Sequence, residues 1–167
     1  METKQLTQSE KISLGTKEIA RLVRQQLKTE YLNSKFSVRT EYFAGGSAIH
    51  LNLMATDIQV IRSPEDISED DIFRLDYDLE NIKKRQSEKY HQLNQYVLKE
   101  DYQKDRWCNG VFLTEEGHKM LQRVVQIVEQ YNYNNSDSMT DYFDVNFYCH
   151  YSIGKWDKPF EEIKNGN

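Results

Sequence analysis

Apolar residues over 16–31 recur at helical spacing. Ile19, Val23 and Leu27 step by four, with Ala20 and Tyr31 beside them, and this predicts an amphipathic helix. Thr16, following Gly15, is placed to cap its first turn, and Glu18 suits the positive helix end. A second helix is predicted over 114–131. Thr114 caps it, Glu115 and Glu116 occupy its first turn, and Leu121, Val124, Val125, Val128 and Tyr131 form the inward stripe. Between the helices the period falls to two. Phe36, Val38, Thr40 and Tyr42 alternate with Ser37, Arg39 and Glu41. Ala44-Gly45-Gly46-Ser47 then supplies a reversal, and the return strand sets Ile49, Leu51 and Leu53 against His50 and Asn52. A hairpin over 36–54 follows. A last strand is predicted over 142–153, where Phe143, Val145, Phe147, Cys149, Tyr151 and Ile153 alternate with Tyr142, Asp144, Asn146, Tyr148, His150 and Ser152. One row packs on the core; the other is free to meet solvent or a partner.

The middle of the chain is less periodic. Ser63-Pro64-Glu65-Asp66 has the form of a helix start, and 65–80 carries eight acids and one base. Over 79–98 helix formers dominate, with Ile82, Tyr90, Leu93 and Val97 as an apolar stripe. Segment 55–105 is therefore read as a helical, acidic and partly mobile excursion. The expected fold is α+β: a small antiparallel sheet, made of the hairpin and the last strand, packed with helices 16–31 and 114–131. Length supports one domain over 1–167, with 1–14 a flexible lead.

Composition changes this picture little. A chain with 38% hydrophobic and 12% aromatic residues has the groups that drive burial, which argues against a disordered polymer. The net charge of −5 is unevenly spread, since 11–41 carries seven basic and three acidic side chains. A nucleic-acid contact follows local charge and is compatible with an acidic total. Cys108 and Cys149 lack Cys-x-x-Cys spacing, and a disulfide between them is not expected in a cytoplasmic chain. The opening residues lack the apolar run of a signal peptide and no stretch reaches membrane-spanning length, so the expectation is a cytoplasmic protein with no membrane contact.

Several groups are candidates for chemistry. Lys17, Arg21, Arg24 and Lys28 align on one side of the first helix, and Lys35 and Arg39 extend the stripe. Such cations track a phosphate backbone without reading bases, and a solvated outer face has the same spacing. Asp137, Asp141 and Asp144 gather before the last strand and offer oxygen to a hard cation, although the calcium-loop pattern is absent and Asp also favours turns. His50 and His150 fall on polar strand faces and become neighbours if those strands pair. Tyr133, Tyr142, Tyr148 and Trp156, together with Asn146, make an aromatic and amide surface suited to protein contacts or base stacking. Nucleophile elbows, phosphate loops and dinucleotide fingerprints are missing, so no cofactor is expected.

The run TKEIARLVRQQLKTEYLNSKFSVRTEYFAGGSAIHLNL resembles the opening of the large polyvalent protein-associated domain, twenty-ninth type. There a helix leads into a Phe-Ser-Val-Arg strand, a Gly-Gly-Ser turn and a second strand. The ending SDSMTDYFDVNFYCHYSIGKWDKPF is similar to sequences grouped with it. Many members continue the second strand into a Trp-x-Asp-Gly-Pro-like turn, where this chain has Met54-Ala55-Thr56-Asp57-Ile58. The resemblance implies an accessory role in a phage or conjugative element, with no established reaction.

These readings lead to a non-enzymatic interaction module of a mobile genetic element. It is expected to bind a protein or a nucleic acid through its polar sheet face and Tyr/Asn-rich loop, with the basic stripe as a secondary contact. Two alternatives stand beside it. The acidic run 65–80 can imitate the phosphates of DNA and inhibit a host defence enzyme, or Asp137, Asp141, Asp144 and His150 can support a metal-dependent hydrolase.

Overall fold

The computed structural model describes residues 6–140 and 144–163. Both amphipathic helices form where the periodicity places them, as α2 (Thr16–Glu30) and α6 (Glu115–Glu129), preceded by a short α1 (Gln8–Ser13). Helix α2 buries Ile19, Ala20, Val23 and Leu27, and α6 buries Met120, Leu121, Val124, Val125, Ile127 and Val128. Thr114 caps α6 as expected, its hydroxyl oxygen accepting from the Gly117 N–H at 2.9 Å. The start of α2 differs. Gly15 is the cap position, Thr16 is already helical, and the Thr16 hydroxyl meets that of Ser47 at 2.7 Å. Both residues are buried, and a buried hydroxyl without a partner costs more than an unmade cap.

Strands β1 (Lys35–Phe43) and β2 (Gly46–Thr56) make the predicted hairpin. Its tight reversal places Gly45 at φ +92°, in the left-handed region that a Cβ disfavours. Three further strands complete the sheet: β3 (His91–Leu93), β4 (Tyr148–Ile153) and β5 (Glu161–Glu162). The order is β1-β2-β4-β3, with β5 pairing the end of β2. Helices α2 and α6 pack on one face of this sheet and share its core with Ile49, Leu51, Leu53, Phe147 and Ile153.

Three expectations are corrected. The sheet is mixed rather than antiparallel, because β4 lies parallel to β2, Ala48 opposite Tyr148 and Leu53 opposite Ile153. The long connection between them includes α6, and a helical crossover returns the chain to the same end of the sheet. The last strand begins at Tyr148 rather than 142, and Tyr142 and Phe143 lie outside the described residues. The helical stripe over 79–98 splits into α4 (Leu79–Gln86) and α5 (Gln95–Lys99), with β3 between them. Strand β3 runs antiparallel to β4 from His91 opposite Ile153 to Leu93 opposite Tyr151, so the open edge of β4 supplies backbone partners that a helix over 87–94 would forgo. His91 and Leu93 are buried while Gln92 is exposed, the alternation of a strand.

The acidic middle is held by a small cluster of its own. Ile67, Ile72, Ile82 and Phe112 pack together beneath a 3₁₀ turn, Pro64–Asp66, and α3 (Glu69–Ile72). Arg62, 5% exposed, bonds both carboxylate oxygens of Asp71, at 3.2 and 3.1 Å, and the carbonyls of Asp66 and Lys104. Buried Gln86 donates to the carbonyls of Arg62 and Phe112 and accepts from the Phe112 N–H.

Candidate functional site

The face of the sheet opposite the helices is left open, and the strand registers arrange its side chains in cross-strand rows. Arg39 of β1 stands opposite His50 of β2, and His50 stands opposite His150 of β4. Because β2 and β4 run parallel and in register, the two imidazoles lie side by side and stack. Their centroids are 4.8 Å apart and their planes 22° from parallel. The Glu41 carboxylate lies 2.7 Å from Nε2 of His50. A second row runs Ser37, Asn52, Ser152 and Gln92 across β1, β2, β4 and β3. In it the Asn52 Nδ2 donates to the Ser152 hydroxyl at 2.6 Å, and Ser152 donates onward to the Gly154 carbonyl at 2.7 Å. Lys155 reaches over to donate to the Ser37 hydroxyl at 2.7 Å.

The outer row predicted for the last strand thus faces outward at Tyr148 and His150, while Ser152 is buried by its neighbours. Tyr148 packs against Phe43 at the hairpin end of the face, with ring centroids 6.0 Å apart. Trp156, 84% exposed, lies at the opposite margin. Two depressions meet on this face and share His50, Asn52 and Tyr90. The smaller, about 400 Å³, lies over Arg39, Glu41, Lys155 and Trp156. The larger, about 830 Å³, runs past β4 and β3 toward α5 and the end of α6. Its full charges among the described residues are Lys99 and Glu129, which pair at 3.2 Å.

The inward row of β4 carries buried polar groups of a different kind. Burial pushes the Cys149 thiol up to about 12, which keeps it protonated and a poor nucleophile. Burial likewise raises the Tyr151 phenol well above its ordinary range. Cys149 is half-buried and Cys108 buried, and both are free.

The other predicted groups are dispersed. Of the basic stripe, Arg21 pairs with Glu18 at 2.6 Å, and Lys17 sits 5.9 Å from the centre of the Tyr42 ring. The Arg24 guanidinium donates twice to the Val38 carbonyl, at 3.1 and 2.8 Å, and so covers the outer edge of β1. Lys28 and Lys35 are exposed. Tyr133 is half-buried beside Asn146, its carbonyl accepting the Asn146 N–H, while the Asn146 Nδ2 donates to the Tyr131 carbonyl. Asp137 accepts from the Met139 N–H and the Thr140 hydroxyl, a local turn, and Asp144 accepts from the Asn135 side chain. Asp141 and Tyr142 lie outside the described residues. Among the described residues no three His, Cys, Asp or Glu side chains come together as a metal-holding group. Within the acidic run, Asp71 turns inward to Arg62 and Asp78 caps α4 through the Asn81 N–H, while Glu65, Asp66, Glu69, Asp70, Asp76 and Glu80 stay on the surface.

Reading the sequence missed Glu41, Tyr90, Gln92, Asn94 and Asn109 as members of this surface. Glu41 was legible, since it shares the outward row of β1 with Arg39. The others come from 90–109, which the short strand β3 brings to this face by pairing with the edge of β4.

Among the described residues, no helix is long and apolar enough to cross a membrane. No curated protein and no solved structure matches the chain. A family model does: that of the large polyvalent protein associated domain 29 matches residues 14–88, somewhat under half of the chain. The match takes in α2, the hairpin and α4, and stops before β3, α6 and β4. From the first amphipathic helix through the acidic middle, this chain is therefore similar to large polyvalent protein associated domain 29.

Proposed function

We propose that the chain is a non-enzymatic interaction module of a mobile genetic element, and that it holds a protein or nucleic-acid partner on its open sheet face. The similarity of residues 14–88 to a polyvalent-protein domain supports the setting. The observation that carries the binding role is the row Arg39–His50–His150. Three strands present it in register, and neither α2 nor α6 covers it. An uncovered sheet face bearing a cation, stacked imidazoles and flanking Tyr148 and Trp156 has the mixed aromatic and polar character of an interface core. Arg39, which extends the basic stripe from β1, lies on this face. Lys17 and Lys28 remain a secondary, salt-sensitive contact on α2, while Arg24 works within the fold. Tyr133 and Asn146 extend the surface from the end of β4.

The test is affinity capture from host lysate, with and without nuclease, using the wild-type chain and an Arg39→Glu, His150→Glu double variant. Both residues are exposed, so the variant folds. A partner held by this face is captured by the wild type and lost from the variant, and nuclease treatment separates a protein from a nucleic-acid bridge. A capture profile identical for both chains rejects the sheet face as the binding surface.

A further inference from the structure

The larger depression lies at a break in the sheet edge. Strand β3 pairs with β4 only from Tyr151 to Ile153, and after Leu93 the chain turns away, Asn94 capping α5 with its side-chain oxygen on the Tyr96 N–H. On the other side of the break, Asn134 pairs with Val145 and the Asn132 Nδ2 donates to the Phe147 carbonyl at 3.2 Å. Cys149 lies between these two supports, with no β3 residue opposite it.

Backbone direction follows from the strand period. The Gly154 N–H turns toward β2, where it donates to the Leu53 carbonyl, and the Gln92 carbonyl turns away from β4, where it accepts from Asn109. Even-numbered members of β4 therefore aim their backbone groups at β2, and odd-numbered ones aim at the β3 side. The N–H and C=O of Cys149 point into the depression.

Its walls offer matching groups. Asn94 and Asn134 use their side-chain oxygens on local N–H groups, which leaves each with a free amino group. Asn52 and Asn109 use their amino groups, which leaves each with a free carbonyl oxygen. Gln92 keeps both. Carboxamide donors and acceptors match the C=O and N–H groups of an extended peptide. The paired Lys99 and Glu129 leave the site without a net charge to attract a polyanion, and nucleic-acid affinity depends mainly on such charge.

We infer that this groove takes an extended, uncharged peptide segment of a partner protein, added as a short strand antiparallel to β4 across the gap at Cys149. This deepens the interaction-module reading and rests on it. The volume of about 830 Å³ falls within the usual range for a ligand site, roughly 300–1,000 Å³.

Random linear peptides displayed on phage are panned against the folded chain, and against Asn134→Trp and Gln92→Trp variants that fill the groove from exposed positions. Enriched peptides are expected to bind the wild type and neither variant, and to slow hydrogen exchange of the Cys149 amide. N-methylation at alternate peptide positions is expected to weaken binding roughly tenfold per lost N–H bond, with little effect at the positions between. Labelled oligothymidine is the second probe. Absence of enrichment, or peptides that bind without protecting Cys149, overturns the inference. Oligothymidine binding that the Arg39→Glu, His150→Glu variant abolishes, with no peptide binding, also overturns it while leaving the sheet-face reading intact. Peptide binding with Cys149 protection, alongside partner capture that the double variant does not change, upholds the groove and rejects the open row.

Discussion

The imidazole of His50 lies against that of His150, ring centroids 4.8 Å apart, because the two residues are direct partners in the parallel pairing of β2 and β4. The stack is solvent-facing and carries no core side chain, so it contributes little to stability. His150→Ala is expected to change the unfolding free energy by less than about 0.5 kcal/mol, the usual range for a surface substitution. Partner capture should nevertheless fall. A large loss of thermal stability in this variant would show that the stack serves the fold.

The Arg62–Asp71 pair makes the acid response specific. Burial alone would raise the Asp71 carboxyl, but hydrogen bonds from Arg62 and Ser68 outweigh it and hold the group at about 2, below its ordinary 3.8. A depressed carboxylate stabilises the fold above its unfolded value, and that contribution disappears as pH falls through the folded one. Wild-type stability should therefore drop between about pH 4 and pH 2, by roughly 2 kcal/mol from this group. Asp71→Asn should remove that part of the acid transition. At neutral pH it should cost about 3 kcal/mol, since Arg62 stays buried with its counter-charge gone. Denaturant melts across this pH range check both.

Gly117 sits in the first turn of α6, where a helical glycine would ordinarily be improved by alanine by about 1 kcal/mol. Here a Cβ would come within 2.5 Å of the Val60 Cα and carbonyl oxygen, both backbone atoms. Gly117→Ala should therefore destabilise, by about 2 kcal/mol or more, despite its better propensity. A raised melting temperature would mean that α6 and the 60–62 segment are not in this close contact.

Arg24 reads as a surface cation and acts as an edge cover. Its removal should expose the Val38 carbonyl on the outer side of β1, costing about 1 kcal/mol and raising the tendency of the hairpin edge to self-associate. Arg24→Ala followed by light scattering and thermal melting measures this, with Arg21→Ala as the control. Unchanged values for Arg24→Ala would return it to the set of free cations.

Burial raises the thiols of Cys149 and Cys108, the former to about 12. Alkylation of the native chain at pH 8 should be far slower than alkylation in denaturant, at both positions. Fast labelling of Cys149 in the native state would show that the inward row of β4 is open to solvent.

The two long helices, the hairpin with its glycine reversal and the inward row of β4 were all legible in the sequence. Each depends on interactions within a few residues of chain, and side-chain periodicity with the backbone freedom of Gly45 specifies them locally. The direction of β4 was not legible, because parallel and antiparallel neighbours bury the same alternating row. Nor was β3, since 87–93 can form a helix until the edge of β4 offers it a ladder. Those two long-range pairings bring His50 to His150 and leave the gap at Cys149. The chain's local pattern therefore determined which side chains face outward, while only the tertiary structure decided which of them meet, because strand pairing is set by backbone hydrogen bonds between segments far apart in sequence.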